Sequence, residues 1–199
     1  MATVLAAALA TLLTLGGCST TPPPERFHTL LSDHPTAPTP VAEPIYVDVL
    51  PVGVPPQVDH RQWVLRQPDG SLRLLEQDRW AAALPDELRG AIVERLAAAW
   101  GAVDVRGVAR PTTPVWRIRV DVQRFESVPG REARLDAIWS LSSGVSGDAA
   151  QVCRDSFTEP VDAGGVPALA AAHRRAVVRL ADSIGQHLKT RRAGTTGGC

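Results

Sequence analysis

Between Arg61 and Gly101 the spacing of apolar residues changes period. Two short apolar runs, Trp63–Arg66 and Leu72–Leu75, flank Gln67-Pro68-Asp69-Gly70-Ser71. Pro and Gly inside a five-residue gap predict a hairpin turn. Further on, Trp80, Leu84, Leu88, Ile92, Leu96 and Trp100 recur every fourth residue, with Ala91 and Ala99 beside them. That recurrence predicts a core-facing helix. Pro85 suits the first turn, where a missing N–H is no loss, and Asp86 and Glu87 suit the positive end of the helix dipole. Gly101 supplies a stop. Arg95 falls inside the stripe, so either its stem snorkels or the apolar stripe is narrower than drawn.

The same reading extends along the chain. Phe27-His28-Thr29-Leu30-Leu31 predicts a short first strand, and Ser32 to Pro44 is Pro-rich, without periodicity, and reads as an exposed loop. His28 and His34 read as loop or surface residues. Ile45–Leu50 alternates as a strand that ends at Pro51–Pro56, and Val103–Val105 predicts another. Trp116, Ile118, Val120 and Val122 alternate with Arg117, Arg119, Asp121 and Gln123, the clearest amphipathic strand in the sequence. A turn at Pro129-Gly130 leads to Leu135, Ala137, Trp139 and Leu141 in phase. A second turn, Gly144 to Gly147, leads to a strand over Val152–Thr158, which completes an antiparallel meander. Leu169, Ala170, Ala176, Val177, Leu180, Ile184 and Leu188 then line one face of a helix over Val166–Arg191, with His173 on the same face as a packed residue. Hairpin, helix, meander and helix together predict an α+β fold: a single domain over residues 26–192, with two principal helices on a mainly antiparallel sheet, and a flexible tail at 193–199.

Composition adds little chemistry. Lys+Arg 21 balances Asp+Glu 21, and only Lys189 is a lysine. A neutral chain with scattered arginines gives no basic face for nucleic acid. The five tryptophans could be read as a lipid-binding set. Their phases instead place Trp80, Trp100, Trp116 and Trp139 with the apolar stripes, and leave Trp63 the least firmly buried.

The N-terminus supplies an address. Val4 to Leu15 is almost wholly apolar, too short for a mature membrane span but suited to the apolar region of a secretory signal. Leu15-Gly16-Gly17-Cys18 resembles the lipobox of bacterial lipoproteins, in which the Cys thiol is alkylated by diacylglycerol and the signal is cut just before it. No Lys or Arg precedes Cys18. The resemblance implies a signal peptide at residues 1–17, lipid attachment at Cys18 and a Pro-rich tether over 18–25. Ser19 resembles the residue after Cys in lipoproteins forwarded to the outer membrane.

Sites for chemistry are scarce. Gly144-Val145-Ser146-Gly147 lacks the spacing of a nucleophile elbow, and no Gly-rich loop precedes a Lys-Ser/Thr pair for phosphate. The five His and three Cys form no metal-ligand spacing. No catalytic residue, cofactor site or metal site is assigned. With Cys18 lipidated, Cys153 and Cys199 either pair in an oxidising compartment or remain a buried small residue and a free chain end.

The order of these features resembles the PqiC-type family, the ABC-type transport auxiliary lipoproteins. The features that carry it are the lipobox; Phe27-His28-Thr29-Leu30; the Val-rich strand ending in prolines; and Pro56 with Arg61 leading into Val64-Leu65. The most specific is Leu74-Leu75-Glu76-Gln77-Asp78-Arg79-Trp80-Ala81-Ala82-Ala83-Leu84. Val120–Phe125 and the Ala- and Leu-rich last helix also fit. The resemblance implies a non-enzymatic component of an envelope lipid-transport system, on the periplasmic face of the outer membrane, supporting membrane integrity. Its partners would be a periplasmic MCE-domain protein and inner-membrane transporter subunits, and a ring-forming partner favours a homo-oligomer. Two other readings remain: a stand-alone structural or envelope-stress lipoprotein, or a periplasmic hydrolase, which requires a nucleophile beside a base.

Overall fold

The computed structural model describes residues 23–34, 37, 41, 43–108, 111–143, 149–162, 164–195 and 199. Cys18, the apolar run before it and the turn at Gly144–Gly147 lie outside these residues. Eight strands and two helices follow in the order β1 (Arg26–His28), β2 (Ile45–Val49), β3 (Gln62–Arg66), β4 (Leu72–Trp80), α1 (Leu84–Trp100), β5 (Ala102–Asp104), β6 (Trp116–Val128), β7 (Glu132–Ser142), β8 (Gln151–Pro160) and α2 (Gly165–Arg192). A short 3-10 turn covers Pro56–Val58.

The strands form two sheets, ordered β1-β4-β3 and β5-β2-β6-β7-β8. The expected hairpin is present. Gln67 and Ser71 close it by a backbone bond of 2.9 Å, and the Asp69 carboxylate accepts from the Ser71 N–H and hydroxyl at 2.9 and 2.7 Å. The meander β6-β7-β8 is antiparallel throughout. The sheets as a whole are mixed, because β1 pairs β4, and β2 pairs both β5 and β6, in parallel.

Two local departures from regular pairing aim side chains. Strict alternation along β6 would turn Arg124 inward after Ile118, Val120 and Val122. The register shifts between Val122 and Arg124, so Phe125 and Ser127 face the core instead. In the small sheet the register jumps between Gln62 (opposite Arg79) and Trp63 (opposite Leu75). β4 thus runs on to Trp80, which is a strand residue and not the first of the helical stripe.

α1 begins at Leu84 with Pro85 in its first turn. It ends at Gly101, whose φ of 62° is left-handed and whose N–H reaches back to Leu96 and Ala97. Leu84, Leu88, Ile92 and Leu96 are buried as expected, whereas Ala99 is exposed. Arg95 reaches Asp182 on α2 at 2.8 and 2.9 Å, which accounts for a cation within the apolar stripe. α2 lies along β7 and β8, pinned at Glu159, which accepts from Arg175 and Arg179 at 3.0 Å each. One continuous core fills the space between the helices and the inner sheet faces. The outer face of β6 and β8, carrying Arg117, Arg119, Asp121, Arg154, Ser156 and Thr158, is exposed.

Candidate functional site

The chain enters the fold through β1, and its fastening there decides how a tether would hold the domain. Arg26 meets the Asp78 carboxylate through Nε at 2.9 Å and Nη2 at 2.6 Å, and His28 Nε2 lies 2.8 Å from the same carboxylate. Asp78 is only 3 % exposed. The hydrogen bond from Arg26 is the main cause that holds its carboxyl below the usual range, against the upward push of burial. Glu25 and Arg79 pair at 2.8 Å beside it. His28, read from sequence as a loop or surface residue, is half-buried, with its ring edge-on to Trp63 at 5.2 Å. The parallel register sets this: Arg26 lies opposite Asp78 and His28 opposite Trp80, so both turn toward the inner side of β4. His34 is exposed, as expected.

Immediately after β1, the chain is tied to the start of α1. Glu87 is 4 % exposed, and its carboxylate accepts three bonds: from Leu30 N–H at 2.8 Å, Thr29 hydroxyl at 2.7 Å and Ala82 N–H at 3.0 Å. Glu87 is therefore a junction between the entering chain and the helix. Asp86, its neighbour, is exposed and serves the dipole alone.

A nucleophile does sit beside a base in the core. Ser127 Oγ and His173 Nε2 lie 2.8 Å apart, and Trp63 Nε1 donates to Ser127 at 3.2 Å. The His173 ring stacks on Phe125 at 3.8 Å, and Trp63 stacks on Trp80 at 4.0 Å. Trp63, the tryptophan sequence placed least firmly inside, is 1 % exposed because the β4 register jump turns it inward opposite Leu75. His173 has no exposure, and burial pushes its pKa down to about 3, so it is neutral. Its Nδ1 has no hydrogen-bond partner among the described residues, so no acid orients it. Ser127 is 3 % exposed. Both residues are thus buried, and Ser127 links the Trp63 indole to the imidazole in a hydrogen-bond relay.

The cysteines meet at the far end of the sheet. Cys153 on β8 and Cys199 form a disulfide with Cα atoms 5.5 Å apart. This settles the alternative that sequence left open. His187 on α2 joins them: one ligand atom from each of the three residues lies within 4.8 Å of the others. Separations of 34 and 12 residues conceal this grouping from any sequence motif. Open clefts mark the outer surface, two of them beside the helices and where β2 and β6 begin. One, of about 270 Å³, lies along the helices and is lined by Leu30, Glu94, Arg95, Arg174 and Val178. The other, of about 600 Å³, is lined by Glu43, Tyr46, Pro114, Trp116 and Arg192.

Comparison with known proteins decides the family. The model of the ABC-type transport auxiliary lipoprotein component matches residues 28–185. The chain belongs to that family. The match takes in every strand except most of β1, together with α1 and most of α2; it leaves out Cys18 and Cys199. No curated protein matches the chain in sequence. Among solved structures, one of an uncharacterized protein superposes with a TM-score of 0.68 at 14 % identity, covering 83 % of this chain and 99 % of that one. A Xanthomonas campestris protein superposes with a TM-score of 0.63 at 19 % identity, covering 85 % and 97 %. At these identities the likeness establishes a shared fold. No described helix of this auxiliary lipoprotein is long and apolar enough to cross a membrane.

Proposed function

We propose that this auxiliary lipoprotein is a non-enzymatic component of an envelope lipid-transport system. Anchored through Cys18 at the periplasmic face of the outer membrane, it docks a periplasmic MCE-domain assembly that inner-membrane transporter subunits serve. The observation that carries this reading is the family match, which spans the folded domain.

The physical arrangement supports it. Seven residues lie between Cys18 and Arg26, and the eight steps from one to the other reach at most roughly 28 Å when extended. A domain on such a leash stays near the bilayer but turns freely to meet a partner, which raises the effective concentration of the encounter. Load on the leash passes from Arg26 to Asp78 and from Leu30 to Glu87, which are inner positions of the fold. The burial of both Ser127 and His173 supports a packing role for that pair.

The test is a cross-linked co-purification from cells of the tagged wild type and a Cys18→Ser form. The expected result is wild type in the outer-membrane fraction with an MCE-domain protein, and Cys18→Ser released from the membrane. Wild type in the membrane without any transport component would overturn the docking role and leave a stand-alone lipoprotein.

A further inference from the structure

The grouping of Cys153, His187 and Cys199 has a use beyond the disulfide. We propose that, in the dithiol form of the chain, Cys153 Sγ, Cys199 Sγ and His187 Nε2 hold one thiophilic d10 cation, with Zn²⁺ as its representative. Disulfide and cation are alternative occupants of the same place.

Geometry supports the ligand set. In a tetrahedral zinc site, metal–sulfur bonds of about 2.3 Å and metal–nitrogen bonds of about 2.0 Å place neighbouring donors roughly 3.5–3.8 Å apart. One ligand atom from each of the three residues already lies within 4.8 Å of the others, so cation binding asks for a separation of the two sulfurs and a local adjustment of the imidazole. They come from three places, β8, α2 and the C-terminal residue, so a cation would cross-link all three as the disulfide cross-links two.

The imidazole is prepared for the role. His187 Nδ1 lies 2.9 Å from the Ser183 carbonyl oxygen, which can only accept. Nδ1 therefore carries the proton, which makes Nε2 the accepting nitrogen of the ring. A backbone carbonyl that fixes the far nitrogen in this way is the usual support of a metal-bound histidine. The ring is flanked edge-on by Trp139 at 5.2 Å, and Trp139 is itself held by Asp155 at 2.7 Å. Cys153 is 4 % exposed, so its thiolate is poorly hydrated and gains strongly from a cation. Among the described residues the group consists of these three side chains.

The two outcomes differ in their balance. On cation binding, two S–H bonds lose protons to solvent, two metal–sulfur bonds form and no electron moves. On oxidation, two protons and two electrons leave to an acceptor and the S–S bond forms. A newly made chain starts as the dithiol, so the cation site needs no reductant and competes directly with disulfide formation.

The test uses the full chain carrying Cys18→Ser, which leaves the two cysteines as its only thiols. Under oxygen-free conditions a phosphine and water convert the disulfide to two thiols and phosphine oxide; the reagent is removed, and Zn²⁺ is titrated against a chromophoric chelator. The dithiol should take one Zn²⁺ per chain, and Co²⁺ in its place should give thiolate-to-metal and tetrahedral ligand-field bands. The disulfide form should take none under the same conditions. His187→Ala should weaken binding at least tenfold, and Cys199→Ser, a change at the chain end outside the family-matching region, should abolish most of the thiolate band. Equal Zn²⁺ binding by dithiol and disulfide forms would overturn the proposal. So would a folded His187→Ala that titrates within twofold of the parent.

Discussion

Ser127 Oγ sits 2.8 Å from His173 Nε2, as a catalytic pair would, yet both residues lie inside the core. Trp63 donates to the serine and Phe125 stacks on the imidazole, so the pair bridges the small sheet, β6 and α2. The serine hydroxyl accepts from Trp63 and shares a hydrogen bond with His173 Nε2. Charging the imidazole would put a proton on both ring nitrogens inside the core, with Nδ1 lacking a partner among the described residues.

The pair therefore makes stability depend on pH. His173 titrates near 6.5 in the unfolded chain and near about 3 in the fold. The unfolded state binds the extra proton between these values, so the stability is fully present above pH 6.5 and declines as pH falls toward 3. At 1.36 kcal/mol per pH unit, lowering the pH from 7.5 to 5 costs about 2 kcal/mol. The lowered carboxyls of Asp78, Asp136 and Glu159 contribute below about pH 4, outside this window. Urea unfolding at the two pH values should show this loss in wild type, and His173→Phe should remove most of it whatever its own stability. An identical slope in the variant would assign the effect elsewhere.

Glu87 and Asp86 are adjacent acids with different work. Replacing Glu87 by Gln presents an NH₂ group to at least one of three donors, from Thr29, Leu30 and Ala82, in a site 4 % exposed. A loss of about 2–3 kcal/mol is expected, with early hydrogen exchange at Leu30. Asp86→Asn should cost under roughly 0.5 kcal/mol. Equal effects in chemical denaturation would reduce Glu87 to a dipole residue.

That contrast shows what a linear reading can reach. Periodicity placed both helices, the hairpin and the meander, because each depends on residues a few positions apart. The order of motifs around Leu74–Leu84 carried the family. Parallel pairing of β1 with β4, and of β2 with β5 and β6, leaves no local mark, since its partners lie far along the chain. For the same reason His28 read as a surface residue and Trp63 as the least firmly buried tryptophan. The β4 register jump that buries Trp63 follows from three-dimensional pairing and not from alternation. Cys153, His187 and Cys199 were equally unreadable as a group, since strand, helix and tail bring them together only after folding.

The disulfide joins residues 46 apart and closes the chain end onto β8. Loop-closure entropy for that length gives about 4 kcal/mol as an upper value. Reduction in the presence of a chelator, or Cys199→Ser, should lower stability by about 2–4 kcal/mol in thermal unfolding, with Arg191 and the end of α2 losing exchange protection first. An unchanged midpoint would mean that the latch orders the tail without supporting the domain.

The helix pair is held where Trp100 meets Gly185. A methyl group on Gly185 would overlap the Trp100 indole atoms, so the close approach of α1 and α2 requires glycine there. The same indole donates to Asp182 at 3.1 Å, and Asp182 accepts both bonds from Arg95. Gly185→Ala should push Trp100 off this carboxylate and cost about 2–3 kcal/mol, an overpacking penalty with the loss of one charge-assisted bond. Trp100→Leu alone should cost a similar amount, by removing ring contacts and the N–H donor. Together the two changes should cost less than their sum by at least about 1 kcal/mol, because the smaller side chain leaves room for the methyl group. Strict additivity in a double-mutant cycle would show that the indole is not what forbids a side chain at Gly185.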